Sequence, residues 1–134
     1  MVREMDYRKM RAYELARDFY VAVAQHSRRP GWRDNALMDQ LMRASSSICL
    51  NIAEGAGEYS RAEKNRFYRI ARRSAWESSS AVDLISQMTH CPELVESSMK
   101  LDQVSALLTT MILRSEQGEG EDQMPKANGV PRSR

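Results

Sequence analysis

Apolar side chains recur along this chain at intervals of three and four residues in four separate blocks, the rhythm of helices that each lay one face against a shared core. In the first block, Ala12, Ala16, Phe19 and Val23 form the stripe, and Leu15 and Ala22 widen it. The pattern predicts a helix from about Tyr7 to Gln25 with Asp6 as its N-cap. Ser27 to Arg33 then read as a loop turning at Pro30-Gly31. The second stripe, Leu41, Ser45, Ile48 and Ile52, is flanked by Leu37, Ala44 and Ala53 and starts beside Asp34 and Asn35, either able to cap it. Gly55 and Gly57 mark its stop, where glycine accepts a left-handed backbone.

The third block is the longest. Ser60-Arg61-Ala62-Glu63 is an S-x-x-E capping box, opening a helix expected to run to about Met88. Its seam, Phe67, Ala71, Ser74, Ser78, Ala81, Ile85 and Met88, keeps a 4-3-4-3-4-3 spacing. That is the period of helices packed lengthwise at shallow angles, and small residues in mid-seam let a neighbour come close. His90-Cys91-Pro92 interrupts the pattern. A fourth stripe follows at Leu94, Leu101, Val104, Leu108 and Met111. Nothing in the chain alternates in the way a strand does. Short loops between amphipathic helices make successive helices antiparallel, so the expected fold is all-α: an up-down-up-down four-helix bundle in one domain, residues 1–115. From Glu116 glycine and proline return among polar residues without an apolar face, and residues 116–134 read as a disordered tail. In the expected register Glu77 lies beside Gln40 and near Arg43, which predicts a polar contact between the second and third helices.

Composition narrows the function more by exclusion than by assertion. With 134 residues and 42% hydrophobic content the chain suits one packed core. Its longest charge-free run, Gln103–Leu113, is too short to cross a bilayer, and no apolar leader opens the sequence, so a cytoplasmic location without membrane contact is expected. Cys49 and Cys91 have no metal-ligand spacing, and His26 and His90 stand alone near helix ends. Glu54 and Glu77 fall more than ten residues apart along the bundle, too far to share a metal or a reacting atom. Neither Ser45–Ser47 nor Ser78–Ser80 has a base beside it, and Gly55-Ala56-Gly57 follows a helix where a phosphate-cradling loop would follow a strand. The residues therefore predict no enzyme, no metal and no cofactor.

Charge adds one positive signal. The formal net charge is only +2, yet residues 1–73 hold 15 Lys/Arg against 9 Asp/Glu, while residues 74–134 hold 5 against 9. Arg61, Lys64, Arg66, Arg69, Arg72 and Arg73 fall within thirteen residues, opposed only by Glu63. On a helical wheel Arg66, Arg69 and Arg73 share one face, well away from the seam. Arginine forks on a regular ladder suit phosphate; a merely solvated helix face is the alternative. Tyr68 and Trp76 also sit off the seam, where they either meet a partner or another subunit or broaden the core.

Several of these residues carry a family likeness. Leu37-Met38-Asp39-Gln40-Leu41-Met42-Arg43-Ala44, then Ser47-Ile48 and Asn51-Ile52-Ala53-Glu54-Gly55, resemble the "QLRRA…SI…NIAEG" signature of the bacterial four-helix-bundle family named for the 23S rRNA intervening-sequence protein. Ser60, Glu63, Phe67, Ile70-Ala71, Ser74 and Glu77 resemble its continuation, and Tyr13 and Ala16 stand where the family usually has Trp and Ala. The likeness covers about residues 7–114. Arg73 replaces the usual glycine of a Gly-Ser pair, and Trp76 stands where a smaller aliphatic residue is common. The resemblance implies a bundle assembling into a homopentamer. It further implies kinship with proteins encoded inside 23S rRNA genes and with accessory variability determinants of diversity-generating retroelements, which bind a reverse transcriptase and nucleic acid. Arg43, Asn51, Glu54, Gly55 and Glu77 then read as structural motif residues, with Asn51 and Glu54 bonding the turn after helix two or a neighbour. Two functions follow: an accessory protein that binds RNA, DNA or a nucleoprotein through Arg61, Lys64, Arg66, Arg69, Arg72 and Arg73, or a protein-interaction scaffold that binds no nucleic acid.

Overall fold

The computed structural model describes residues 6–32 and 34–123, with side chains placed as far as Glu116. A short 3₁₀ turn at Tyr7–Lys9 leads into α1 (Arg11–Ser27), α2 (Ala36–Ala56), α3 (Arg61–Met88), α4 (Pro92–Ser98) and α5 (Lys100–Gln123). All the described elements are helical. α1, α2, α3 and α5 pack as a ring in which each helix runs close beside its two neighbours and the side chains of all four share one core. As residue numbers rise along α2 their partners fall along α3, from Ser47 with Ser74 to Gly55 with Tyr68. The fold is the expected single-domain, up-down-up-down bundle, with α4 and α5 together forming its fourth member.

The stripes reach the core largely where their spacing puts them. Ala16, Phe19 and Val23 of α1, Leu41, Ile48 and Ile52 of α2, Ala71 and Ile85 of α3, and Val104 and Leu108 of α5 are completely buried. Ser45 and Ser78 join them because each hydroxyl bonds a carbonyl of its own helix, Met42 and Ser74 respectively, so neither enters the core unpaired. Asn35 caps α2 by accepting from the Met38 N–H at 2.9 Å, and Ser60 caps α3 by accepting from that of Glu63 at 3.2 Å. The Pro30-Gly31 loop turns at Gly31, whose φ of +94° is costly for any other residue.

The structure corrects several details. Asp6 caps the 3₁₀ turn, through the Arg8 N–H, and the extended Met10 separates that turn from α1. α1 continues to Ser27, and Arg33 lies outside the described residues. At the third seam's ends Phe67 is only half-buried and Met88 is exposed. Tyr68, Ala75 and Val82 are buried in addition, because α3 packs against both α2 and α5 and one seam cannot serve two neighbours. Tyr68 therefore broadens the core, whereas Trp76 stays in solvent. On α5 it is Ile112, and not Met111, that is fully buried. The fourth helix is interrupted at Met99, and α5 continues past residue 116 to Gln123. Residues 124–134 of the expected tail lie outside the described residues.

The end of α2 differs most from expectation. Gly57 has φ −86°, so no left-handed glycine stops the helix. The ammonium of Lys64, from the first turn of α3, donates to the carbonyls of Gly55 and Ala56 at 3.1 Å each. A cation placed on C-terminal carbonyls opposes the negative helix end, and here it also adds to the bond the Gly55 carbonyl already accepts from the Glu58 N–H. Gly55 itself is helical and buried beneath the Tyr68 ring, where an added Cβ would sit 2.5 Å from a ring carbon. Alanine here gains up to about 1 kcal/mol of helix propensity, but overpacking a fixed aromatic costs about 1–3 kcal/mol. Gly55→Ala should therefore lower the unfolding free energy by up to about 2 kcal/mol, readable as a lowered urea midpoint; a raised midpoint contradicts this packing.

His26 offers a second check on the core. It is buried at the end of α1 with its ring 5.7 Å from that of Trp32, and its Nε2 has no hydrogen-bond partner among the described residues. Burial, reinforced by the Arg29 charge and opposed by Glu93, holds its pKa below the ordinary 6.5. The unfolded chain thus takes up a proton more readily than the folded one. Stability should hold above about pH 6.5 and decline below it as the unfolded state is protonated first. His26→Leu should flatten that decline in denaturation curves between pH 7.5 and 5.5; a slope unaltered in the variant assigns it to other groups.

Candidate nucleic-acid interface

The structure does not keep the six basic residues together. Arg61 and Lys64 are half-buried at the start of α3, and Lys64 is engaged with the end of α2. Arg66 pairs with Glu63 at 3.0 Å and lays its guanidinium over the Phe67 ring, 4.4 Å from the centroid. The remaining three gather in one place. Arg69, Arg72 and Arg73 line a groove of about 730 Å³ between α3 and α5, together with Trp76, Ser105, Ala106 and Thr109.

Each arginine is held differently there. Arg69 reaches across to the Glu116 carboxylate at one end of the groove. Arg72 is half-buried and donates to the Thr109 hydroxyl at 3.0 Å, which fixes its guanidinium in the wall. Arg73 is exposed and makes no hydrogen bond or ion pair among the described residues. No carboxylate belongs to the groove's lining. Three guanidinium groups with ten or more N–H donors between them, one of them paired with Glu116, and a hydroxyl-bearing opposite wall make a surface suited to an anion with several oxygens. Sequence reasoning found the arginines but not Ser105 and Thr109; their signal was the small polar run just off the apolar stripe of α5.

The other motif residues hold the α2–α3 pair. The Asn51 amide donates to the Ser47 carbonyl at 2.8 Å and its hydroxyl at 3.0 Å, and Ser47 and Ser74 share a hydrogen bond at 2.9 Å across the two helices. Asn51 thus bonds back along α2 and not onto the following turn; the Glu54 carbonyl accepts from the Gly57 N–H at 3.2 Å, while its exposed carboxylate has no hydrogen bond or ion pair among the described residues. Gln40, Arg43, Arg73 and Glu77 do line one groove on the α2–α3 side, but Glu77 forms no hydrogen bond or ion pair with Gln40 or Arg43. The register was near enough to bring the groups side by side; all three side chains are exposed, where an ion pair has little to gain over water.

The Cys49 thiol is buried, its pKa pushed up to about 11 by desolvation, which keeps it protonated and unreactive. Burial also raises Cys91. Among the described residues no three His, Cys, Asp or Glu side chains gather as metal ligands, and no helix is long and apolar enough to cross a membrane.

An up-down-up-down helical bundle, its second and third helices tied by an Asn-Ser-Ser bond and flanked by an arginine-lined groove, is the class of protein these observations define. The profile of the 23S rRNA-intervening sequence protein family matches residues 8–110, and the chain belongs to that family. A crystal structure of a protein of unknown function from the S23 ribosomal protein family of Bacteroides thetaiotaomicron is similar in fold: TM-score 0.69 at 19% identity, covering 75% of this chain and 97% of that one. No protein of curated function matches the chain.

Proposed function

We propose that this protein is a non-enzymatic, homo-oligomeric accessory factor of the cytoplasm that binds RNA or DNA, free or within a nucleoprotein such as a reverse transcriptase complex, through the groove between α3 and α5. The observation that carries the reading is the grouping of Arg69, Arg72 and Arg73 in a groove whose lining contains no carboxylate. Arg61, Lys64 and Arg66 extend positive charge along the same helix toward its start. A pentamer of such chains would repeat the groove five times around a ring, adding avidity to weak individual contacts.

The test is a salt titration. Three phosphate contacts give a slope of log K against log salt of about −2.1 to −2.7, so raising salt from 50 to 200 mM should weaken binding about 20- to 40-fold. Absent or salt-insensitive binding overturns the reading. The second reading, a scaffold that binds only protein, draws support from the exposed Trp76 and Leu84, which flank half-buried Leu37 on the α2–α3 side. Replacing Arg72 or Arg73 with Glu would then reduce the assembly to monomers in light scattering.

A further inference from the structure

We infer that the groove takes a single strand and not a duplex, with one unpaired base stacked on Trp76. The inference rests on the reading that the groove binds nucleic acid. Trp76 is 71% exposed, the most exposed large apolar side chain among the described residues, although both flanking grooves include it in their walls. It follows Arg72 and Arg73 by four and three positions, one helical turn, so the indole and the two guanidinium groups share one side of α3. Arg72 is already oriented by Thr109, and Arg73 has no partner among the described residues. Phosphate oxygens on the arginines would therefore place the attached nucleotide within reach of the ring. A base face is available to an indole only when the base is outside a duplex stack, since each face of a paired base is already covered by its neighbours. Cationic groove and flat aromatic side by side are the parts by which proteins hold single strands without reading sequence. A duplex could use the arginines but not the ring.

The chain has two tryptophans, and Trp32 stands apart beside His26. In a Trp32→Phe background, Trp76 is the sole reporter. Poly(U), oligo(dT) and a hairpin-free RNA duplex of equal phosphate number are titrated at one low salt concentration, following Trp76 fluorescence and, separately, anisotropy of labelled strands. Poly(U) or oligo(dT) should quench Trp76; the duplex should not. Trp76→Ala should weaken single-strand binding about five- to 150-fold, at least fivefold more than it weakens duplex binding, and Trp76→Phe should restore most of the loss. Equal effects of Trp76→Ala on both ligands, or a duplex that binds as tightly and quenches as strongly, overturn the inference while the groove reading stands. If no nucleic acid binds at all, both fall. Trp76 emission already blue-shifted in the free protein, with Trp76→Ala lowering its mass to that of a monomer, shows the ring covered by a second copy and also overturns it.

Discussion

Phe19→Ala lowers the unfolding free energy by about 3–5 kcal/mol, the cost of emptying a fully enclosed aromatic site. The residue stands midway along α1 with no exposed surface, among Leu41, Ile48 and other completely buried side chains of the same core. Domains of this size have about 5–15 kcal/mol in total, so the variant loses a large part of its margin, and its melting temperature falls by about 12–20 °C. Phe19→Leu refills most of the volume and should cost less than half as much. Guanidinium denaturation of the three proteins checks the order. A loss below about 1 kcal/mol for Phe19→Ala would falsify the placement of Phe19 at the centre.

The second large effect concerns binding and leaves the fold intact. Arg69→Glu/Arg73→Glu should weaken nucleic-acid binding about a hundredfold or more at fixed salt. Hydrogen bonds to charged groups contribute about 1.5–3 kcal/mol each, two are removed, and two negative charges are added to what remains. Both side chains are exposed, and the Arg69–Glu116 pair, open to solvent on both sides, contributes little to stability. Helical circular dichroism and the melting temperature should therefore hold nearly constant. Arg66→Glu, by contrast, touches a side chain committed to Glu63 and Phe67 outside the groove and should reduce binding far less. Equal losses at Arg66 and at Arg73 would show a diffuse charge effect and no defined groove.

The helices were legible because each needs only its own stretch of sequence: a stripe, a cap and a stop. Asn35 and Ser60 show this directly, since each cap bonds a residue three positions on. What escaped depended on a second element. Phe67 and Tyr68 fit the third stripe almost equally well by spacing, and the choice between them is made on α2, where Gly55 leaves room for the Tyr68 ring. The break at Met99 has no glycine or proline to announce it, and the choice of Ile112 over Met111 rests on how α5 is rotated against its neighbours. The basic residues were legible as a count along one helix. Their division into a groove set and an anchored set was not, because the partners Thr109, Glu116 and the α2 carbonyls lie on other elements. A wheel drawn for α3 alone shows direction but not company.

Lys64 illustrates what that division means for anyone surveying the basic ridge one substitution at a time. Its ammonium clamps the last carbonyls of α2, so a neutral or acetylated side chain would fray the hairpin joining α2 to α3 and disturb the groove's wall secondhand. Lost affinity at this position would be a symptom of a loosened hinge, distinguishable by faster amide exchange at the end of α2.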